Sequence, residues 1–275
     1  MINWHLSRPD FEYQKKFKDI DLVSAWVGHK TFAYDLVSNF KPKLIVELGT
    51  HKGASFFAMC QAVKDHNLDT LLVAIDTWTG DKHSGLYKNS IYREVKNVIA
   101  KIYPNIKTEL IKDYFDNALN FFKPKTIDLL HIDGLHTYDA VKHDFDNWID
   151  KLSPNGIILM HDITEKSKDF GVYKFWDEIK DKYHYYQFQH SHGLGIIFLG
   201  KKPEINLDLQ ETWKNYYEQI SNNLNFEKIK KLEKEIISLK KDIVNRKKIY
   251  KQISNSKFFR CWQKYNYIKK LIFKK

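Results

Sequence analysis

Carboxylates stand where strands end in this chain, and each has a glycine turn or a histidine beside it. Leu44-Ile-Val-Glu47 reads as a buried strand finishing on Glu47. Gly49 and Gly53 then bracket a tight turn, and Ala54 to Lys64 can open a helix with Phe56, Phe57, Cys60 and Val63 on one side. Glycines let the backbone come close to a ligand, and the free N–H groups of the helix start offer donors. This is the first half of a βαβ unit, the usual nucleotide site of a doubly wound sheet. The spacing is Glu-x-Gly-x-x-x-Gly rather than Gly-x-Gly-x-x-Gly. A pyrophosphate wants an uncharged loop, whereas Glu47 brings negative charge. That suits a ligand with cationic groups, such as the sulfonium and ammonium of S-adenosylmethionine.

Other acids extend the pattern. Leu71 to Ile75 forms a second strand closed by Asp76, where a ribose diol is expected to be held. The polar loop Thr77 to Gly85 follows, and Trp78 in it either covers an adenine or packs against a neighbouring helix. A third strand runs from Lys107 to Asp113, and topology puts Asp113 and Tyr114 beside the adenine. The fourth strand, Ile127 to Asp133, is followed by His136, and the fifth, Ile157 to Asp162, ends in His161 and Asp162. Carboxyl ends of neighbouring parallel strands meet at one crevice, so Asp133, His161 and Asp162 are expected to form a divalent-ion site with His136 nearby. Oxygen ligands suit Mg²⁺, and imidazole moves the preference toward Mn²⁺. A histidine that merely packs or caps is the plainer alternative for both imidazoles.

The remaining periodicities supply the scaffold. Residues 1–40, with Leu22, Trp26, Phe32, Leu36, Val37 and Phe40 at helical spacing, read as an N-terminal helical cap. Pro42 stops it, and residues 41–203 form the main domain. Helices are expected over Ile91–Tyr103, Tyr114–Phe122, Asp139–Lys151 and Phe170–Tyr183, with a turn at Ser153–Gly156. Tyr185–His190 and Leu194–Leu199 close the sheet around Ser191-His-Gly193. The expected fold is α/β: a Rossmann-like, seven-stranded, mostly parallel sheet with an antiparallel closing strand and a C-terminal helical tail.

Residues 204–275 form that helical, basic extension. Residues 226–275 hold 17 Lys or Arg against 4 Asp or Glu, and the rest of the chain holds 28 against 30. The basicity therefore belongs to the tail, which weakens any nucleic-acid reading of the net +11. Ile229, Leu232, Ile236, Leu239 and Ile243 make a short a/d seam flanked by Lys and Glu. It is either an oligomerisation helix or one packed on the protein's own surface. Phe258, Trp262, Tyr265, Ile268 and Ile272 follow helical spacing among Lys264, Lys269, Lys270, Lys274 and Lys275, which suits peripheral contact with an anionic membrane. Two distant cysteines, Cys60 and Cys261, form no disulfide framework, and Met1 to Asp10 lack the apolar core of a signal peptide. A cytoplasmic protein, peripheral at most to the inner membrane face, is expected.

The order Val46-Glu-Leu-Gly-Thr-His-Lys-Gly-Ala-Ser55, Asp76-Thr-Trp-Thr-Gly-Asp81, His131-Ile-Asp-Gly-Leu-His-Thr-Tyr138 with Asp144 and Trp148 resembles the class I S-adenosylmethionine-dependent methyltransferases. Within them it looks like the branch that tailors bacterial polysaccharides and glycosides. Leu159-Met-His-Asp162, Asp169-Phe-Gly-Val172 and His192-Gly-Leu-Gly195 continue the match, which runs from about Trp26 to Gly200. The resemblance implies that Glu47, Gly49, Thr50, Gly53 and Ser55 hold the methionine end of the cofactor and Asp76 its ribose. It further implies a cation on Asp133, His161 and Asp162, with His136 as the base, although His161 departs from the usual oxygen ligand. The implied activity is O-methylation of a sugar hydroxyl on a carbohydrate or glycolipid acceptor. Two alternatives compete: a nucleic-acid methyltransferase, and a non-catalytic cofactor-binding module that recruits a glycan-assembly complex. Amino-methylating DNA enzymes need a Pro-Pro-aromatic segment after the fourth strand, and this chain has none.

Overall fold

The computed structural model describes residues 2–16, 24–82, 85–86, 90–167, 169–201, 203–205 and 210–272, and leaves out the side chains of 210, 212–213, 225–233, 235, 258 and 270–272. Leu22, Lys274, Lys275 and the side chains of Ile229, Leu232, Phe258, Lys270 and Ile272, all used in the sequence patterns above, lie outside the described residues. The chain divides into two compact units, Met1–Leu224 and Asn225–Lys275.

In the first unit, β1 (Leu44–Leu48), β2 (Leu71–Ile75), β5 (Lys107–Ile111), β6 (Ile127–Ile132) and β7 (Leu152–His161) are parallel. The sheet order is β5-β2-β1-β6-β7-β9-β8, with β9 (Leu194–Phe198) antiparallel to both β7 and β8 (His184–Phe188). The seven-stranded, mostly parallel sheet read from the sequence is thus present. Two short strands, β3 (Gly80–Asp81) and β4 (Gly85–Leu86), make a hairpin inside the segment expected to be only a loop. The turn expected at Ser153–Gly156 is instead a bulge within β7. Ile127 pairs with Leu152 and Leu129 with Ile157, so the intervening residues are extruded from the register.

Successive strand residues point to opposite faces, and each face has its own core. Ile45, Leu72 and Leu129 join Phe32 and Leu36 of α2 (Lys30–Phe40), Phe56 and Phe57 of α3 (Ala54–Asp65), and Val95 and Val98 of α4 (Ser90–Ile102). Val46, Leu48, Val73, Ile75, Leu130 and Ile132 meet the other face. There they pack on Ala118 of α5 (Phe115–Ala118), Trp148 of α6 (Tyr138–Trp148) and Phe175 of α7 (Val172–Ile179). Burying each such side chain contributes about 1.5–3 kcal/mol. Before the sheet, the described residues hold a short helix at Glu12–Lys16 (α1), a 3₁₀ turn at Ala25–Gly28, and α2. The other described residues of the expected cap form no helix, yet Trp4 and Phe11 among them, with Tyr13 of α1, are buried in the first core.

Asp35 of α2 ties this layer together. Its Oδ2 accepts from Tyr217 Oη at 2.5 Å and Ser7 N at 3.1 Å, and Tyr217 Oη accepts from Trp4 Nε1. Burial pushes the Asp35 carboxyl up to about 6, against the lowering effect of those hydrogen bonds. The folded pKa lies above the unfolded one, so this group's contribution to stability is fully present below about pH 4 and is lost as pH rises through 6. An Asp35→Asn variant removes that titration. Its stability relative to the parent should improve by roughly 2–3 kcal/mol between pH 4 and pH 7.5. Chemical denaturation at the two pH values measures it, and a difference that stays constant with pH would refute the assignment.

The 46 residues of α8 (Gln210–Asn255) are helical throughout and cross from the first unit into the second, which ends in α9 (Lys257–Ile272). Ser256 separates the two helices, and its Oγ accepts the Phe259 N–H, a cap for the start of α9. Among the described residues no helix is long and apolar enough to cross a membrane.

Candidate functional site

The carboxyl ends of β1, β2, β6 and β7 open onto one cavity of about 840 Å³. Gly49, Thr50, Ser55 and Asp76 line one side of it, and Asp133, His136, His161 and Asp162 another. Four of the predicted cofactor residues do not line it. Glu47 is fully buried, because it alternates with Leu48 and follows Ile45 into the first core. Trp78 turns inward, donating Nε1–H to His51 O and packing 4.7 Å from the Tyr92 ring, so it supports the loop from below. Asp113 accepts from Tyr114 N and Asn117 Nδ2 and serves the start of α5; its neighbour Tyr114 does reach the cavity. Gly53 also stands back, as the left-handed residue (φ 83°) preceding α3.

Gly49 has φ 89°, and a Cβ there would lie 2.0 Å from the Asp133 carbonyl oxygen. Only glycine fits where the β1 turn crosses the end of β6. Asp76 braces the same turn. Its Oδ2 accepts from Thr50 N (3.0 Å) and His51 N (2.8 Å), and its Oδ1 from Trp78 N (2.6 Å). Burial still sets the direction of its pKa, which is raised despite these donors. Beneath the turn, Ser55 Oγ donates to Glu47 Oε1 at 2.6 Å, and His131 Nδ1 lies 2.9 Å from the same oxygen. Trp26 Nε1 donates to His131 Nε2, which leaves the His131 Nδ1–H to donate to Glu47 Oε1. Glu47 Oε2 and Thr50 Oγ1 have no hydrogen-bond partner. Unmatched buried acceptors beside a close-approach turn fit a ligand that brings its own donors, as the ammonium and ribose of S-adenosylmethionine do.

On the other side, Asp133 Oδ1 and Asp162 Oδ2 face two imidazoles. His161 Nδ1 lies 3.3 Å and 3.4 Å from them, and His136 Nε2 lies 3.5 Å and 3.1 Å away. One ligand atom each from Asp133, His136 and Asp162 falls within 4.8 Å of the others. His161 Nε2 donates to Ser191 O at 3.1 Å, which aims Nδ1 at the carboxylates. An imidazole oriented by a backbone carbonyl through its far nitrogen is the usual arrangement of a metal-ligating histidine, so the donor set fits a divalent cation. Asp162 itself has φ 64°, and the facing turn carries Ser191 at 52° and His192 at 66°. Such left-handed residues cost about 1 kcal/mol or more each and cluster at sites that the surroundings over-determine. Burial pushes the Asp133 and Asp162 carboxyls up, but the imidazoles, His161 first, reverse this and hold both well below the usual range. Burial likewise depresses His161 and His136, and the facing carboxylates outweigh it, so both imidazoles titrate above their ordinary value.

Sequence reasoning gave no role to His192, whose Nδ1 lies 3.1 Å from Asp162 Oδ1, or to Phe170, whose ring stacks on His136 at 4.8 Å. Both sit inside the matched motifs, which was the available signal. Asp144 of α6 also lines the cavity, and burial pushes its carboxyl up to about 7.

Residues 46–163 match the model of a methyltransferase domain family. That stretch of the chain is thus similar to methyltransferase domains. The uncharacterized protein y4gI of Sinorhizobium fredii is 40% identical over 203 residues, 74% of this chain. The alignment spans about a fifth (21%) of that relative's length. Among solved structures, a methyltransferase from Geobacter sulfurreducens superposes with a TM-score of 0.53 at 12% identity, covering 71% of this chain and 93% of that one. A proposed caffeoyl-CoA O-methyltransferase from Staphylococcus aureus gives 0.53 at 16% identity, covering 70% and 93%. These likenesses establish a shared fold, one that this domain has in common with structures described as methyltransferases.

Proposed function

We propose that the chain moves the methyl group of S-adenosylmethionine to a sugar hydroxyl of a polysaccharide or glycoside precursor, with help from a divalent cation. The observation that carries this reading is the meeting, in one cavity, of the Gly49 turn with two carboxylates and two imidazoles. The sugar rests on the motif resemblance, which runs through Asp169-Phe-Gly-Val172 and His192-Gly-Leu-Gly195.

Methyl transfer is an in-line displacement at a carbon already activated by sulfonium, so alignment is the protein's main task. A volume of about 840 Å³ accommodates a cofactor and an acceptor side by side. Asp133, Asp162 and His161 Nδ1 would hold the cation, either Mg²⁺ or Mn²⁺, and the cation would lower the pKa of the acceptor hydroxyl. His136 is the base. Its side chain is 16% exposed against 4% for His161, and the Phe170 ring fixes its plane. Its raised pKa brings it toward the operating range of a general base.

The test is release of S-adenosylhomocysteine from the purified chain with sugar acceptors, with and without EDTA and added Mn²⁺. Turnover indifferent to EDTA would remove the cation from the reading. Failure to bind S-adenosylhomocysteine at all would remove the reading itself.

We also propose that α9 rests peripherally on an anionic membrane at the cytoplasmic face. Trp262, Tyr265 and Ile268 are all more than half exposed on one stripe, with Lys264 and Lys269 beside it. Each basic residue near such a surface adds about 1 kcal/mol. Deleting 256–275 should abolish flotation with phosphatidylserine vesicles, and a full chain that never floats at low salt rules this out.

A further inference from the structure

The helix α8 continues a pattern that its sequence only begins. Past the unit boundary at Asn225, the positions Ile229, Leu232, Ile236, Leu239, Ile243, Arg246, Tyr250 and Ile253 recur at steps of 3, 4, 3, 4, 3, 4 and 3 on one unbroken helix. This is an a/d heptad over more than three repeats, against the two legible without the helix. Its described apolar members are left open: Ile236 is 50% exposed, Leu239 55%, Ile243 52%, Tyr250 68% and Ile253 52%. A row of half-exposed large side chains along a helix is a surface awaiting a partner.

The residues around the seam specify that partner. The a positions 229, 236 and 243 are isoleucine and the d positions 232 and 239 are leucine, the combination that favours two strands over three or four. In a parallel pair, each g residue faces the e residue five positions on in the other helix. Lys228 then meets Glu233, Glu235 meets Lys240, and Asp242 meets Lys247, three opposite-charge pairs, and the fourth pair, Ile249 with Ser254, is uncharged. Antiparallel pairing would set the g rows together, where Glu235 and Asp242 are both acidic. It would also set the e rows together, where Lys240 and Lys247 are both basic. Arg246 at a d position weakens the seam locally, because in register it faces the same guanidinium of the second copy.

We propose that residues 226–255 pair with the same segment of a second copy of this chain as a parallel, in-register, two-stranded coiled coil. The paired segment is about 45 Å long, from roughly 1.5 Å per residue.

The full-length chain tests this. Sedimentation should give about 66 kDa, twice the 32.8 kDa of one copy. The variant Leu239→Asp with Ile243→Asp should halve that mass while the melting of the catalytic unit is unchanged. A Lys240→Glu, Lys247→Glu chain and a Glu235→Lys, Asp242→Lys chain should each be monomeric alone and dimeric when mixed. Orientation is read from Ile229→Cys in a Cys261→Ser background. In-register parallel helices bring the two 229 positions together, and mild oxidation should give a dimer band. A monomer at all concentrations, a trimer or tetramer, unaltered mass in the double-Asp variant, or an Ile229→Cys chain that never cross-links would each overturn the proposal.

Discussion

Gly49→Ala is expected to lose at least about 100-fold in S-adenosylhomocysteine affinity, the equivalent of roughly 2.7 kcal/mol. Gly49 sits at φ 89°, and its added methyl would lie 2.0 Å from the Asp133 carbonyl oxygen and 2.6 Å from its carbon. That carbonyl cannot retreat cheaply, because Asp133 N is bonded to Leu48 O at 2.9 Å in the ladder between β1 and β6. The turn must lift instead, taking Thr50 N and His51 N away from Asp76. The left-handed conformation costs about 1–3 kcal/mol and the forced contact about as much again. Gly85→Ala provides the control. Gly85 has φ 78°, but nothing lies within 4 Å of a Cβ there, so it carries the conformational cost without the clash. Calorimetric titration should find Gly85→Ala near the parent in affinity and Gly49→Ala nearly silent. Affinity in Gly49→Ala within about threefold of the parent would show that the turn does not form the cofactor bed.

Asp133→Asn should cut methyl transfer by about 10²–10⁴-fold, the range associated with loss of a positioned proton transfer. The substitution keeps the shape of the side chain and the main-chain bond to Leu48, so S-adenosylhomocysteine binding should stay within about threefold. What changes is the charge opposite His161 Nδ1 and His136 Nε2, at 3.3 Å and 3.5 Å. With one carboxylate gone, both imidazoles lose part of what holds their pKa above the ordinary value, and a cation held as proposed would lose a ligand. Titration of Mn²⁺ by calorimetry should therefore show affinity weakened by more than about tenfold in the variant. Turnover that survives within tenfold would move the chemistry away from Asp133. Intact turnover with lost Mn²⁺ binding would leave His136 as a base acting without a cation.

Strand-ending carboxylates and the glycine turn were legible because burial writes itself into apolar runs, and the fold then places the ends of β1, β2, β6 and β7 together. What pointed where was less legible. Glu47 shares the face of Ile45, and strict alternation sets its carboxylate beneath the turn, beside Ser55 and His131, instead of in the cavity wall. Trp78 and Asp113 lie in connections, whose side-chain directions depend on turn conformations that carry no periodicity. Trp78 has φ 50°, a conformation that composition does not announce. His192 reaches Asp162 only because β9 runs antiparallel and its preceding turn therefore opens onto the carboxyl ends of the parallel strands. In the tail, Arg246 broke the apolar rhythm after Ile243, and only the continuous helix shows that Tyr250 and Ile253 resume it.

Trp26 has a consequence for how the site can be watched. Its indole is 2% exposed, lines the cavity, and has ring centroids of His131 at 4.7 Å, His29 at 5.7 Å and His161 at 5.8 Å around it. An excited indole loses emission to a protonated imidazole in contact with it and keeps more of it beside a neutral one. Among seven tryptophans, this one is therefore placed to report changes at the group of imidazoles packed around it. Subtracting the emission of Trp26→Phe from that of the parent isolates its signal, so filling of the cavity can be followed by light, with no label and before any acceptor is known.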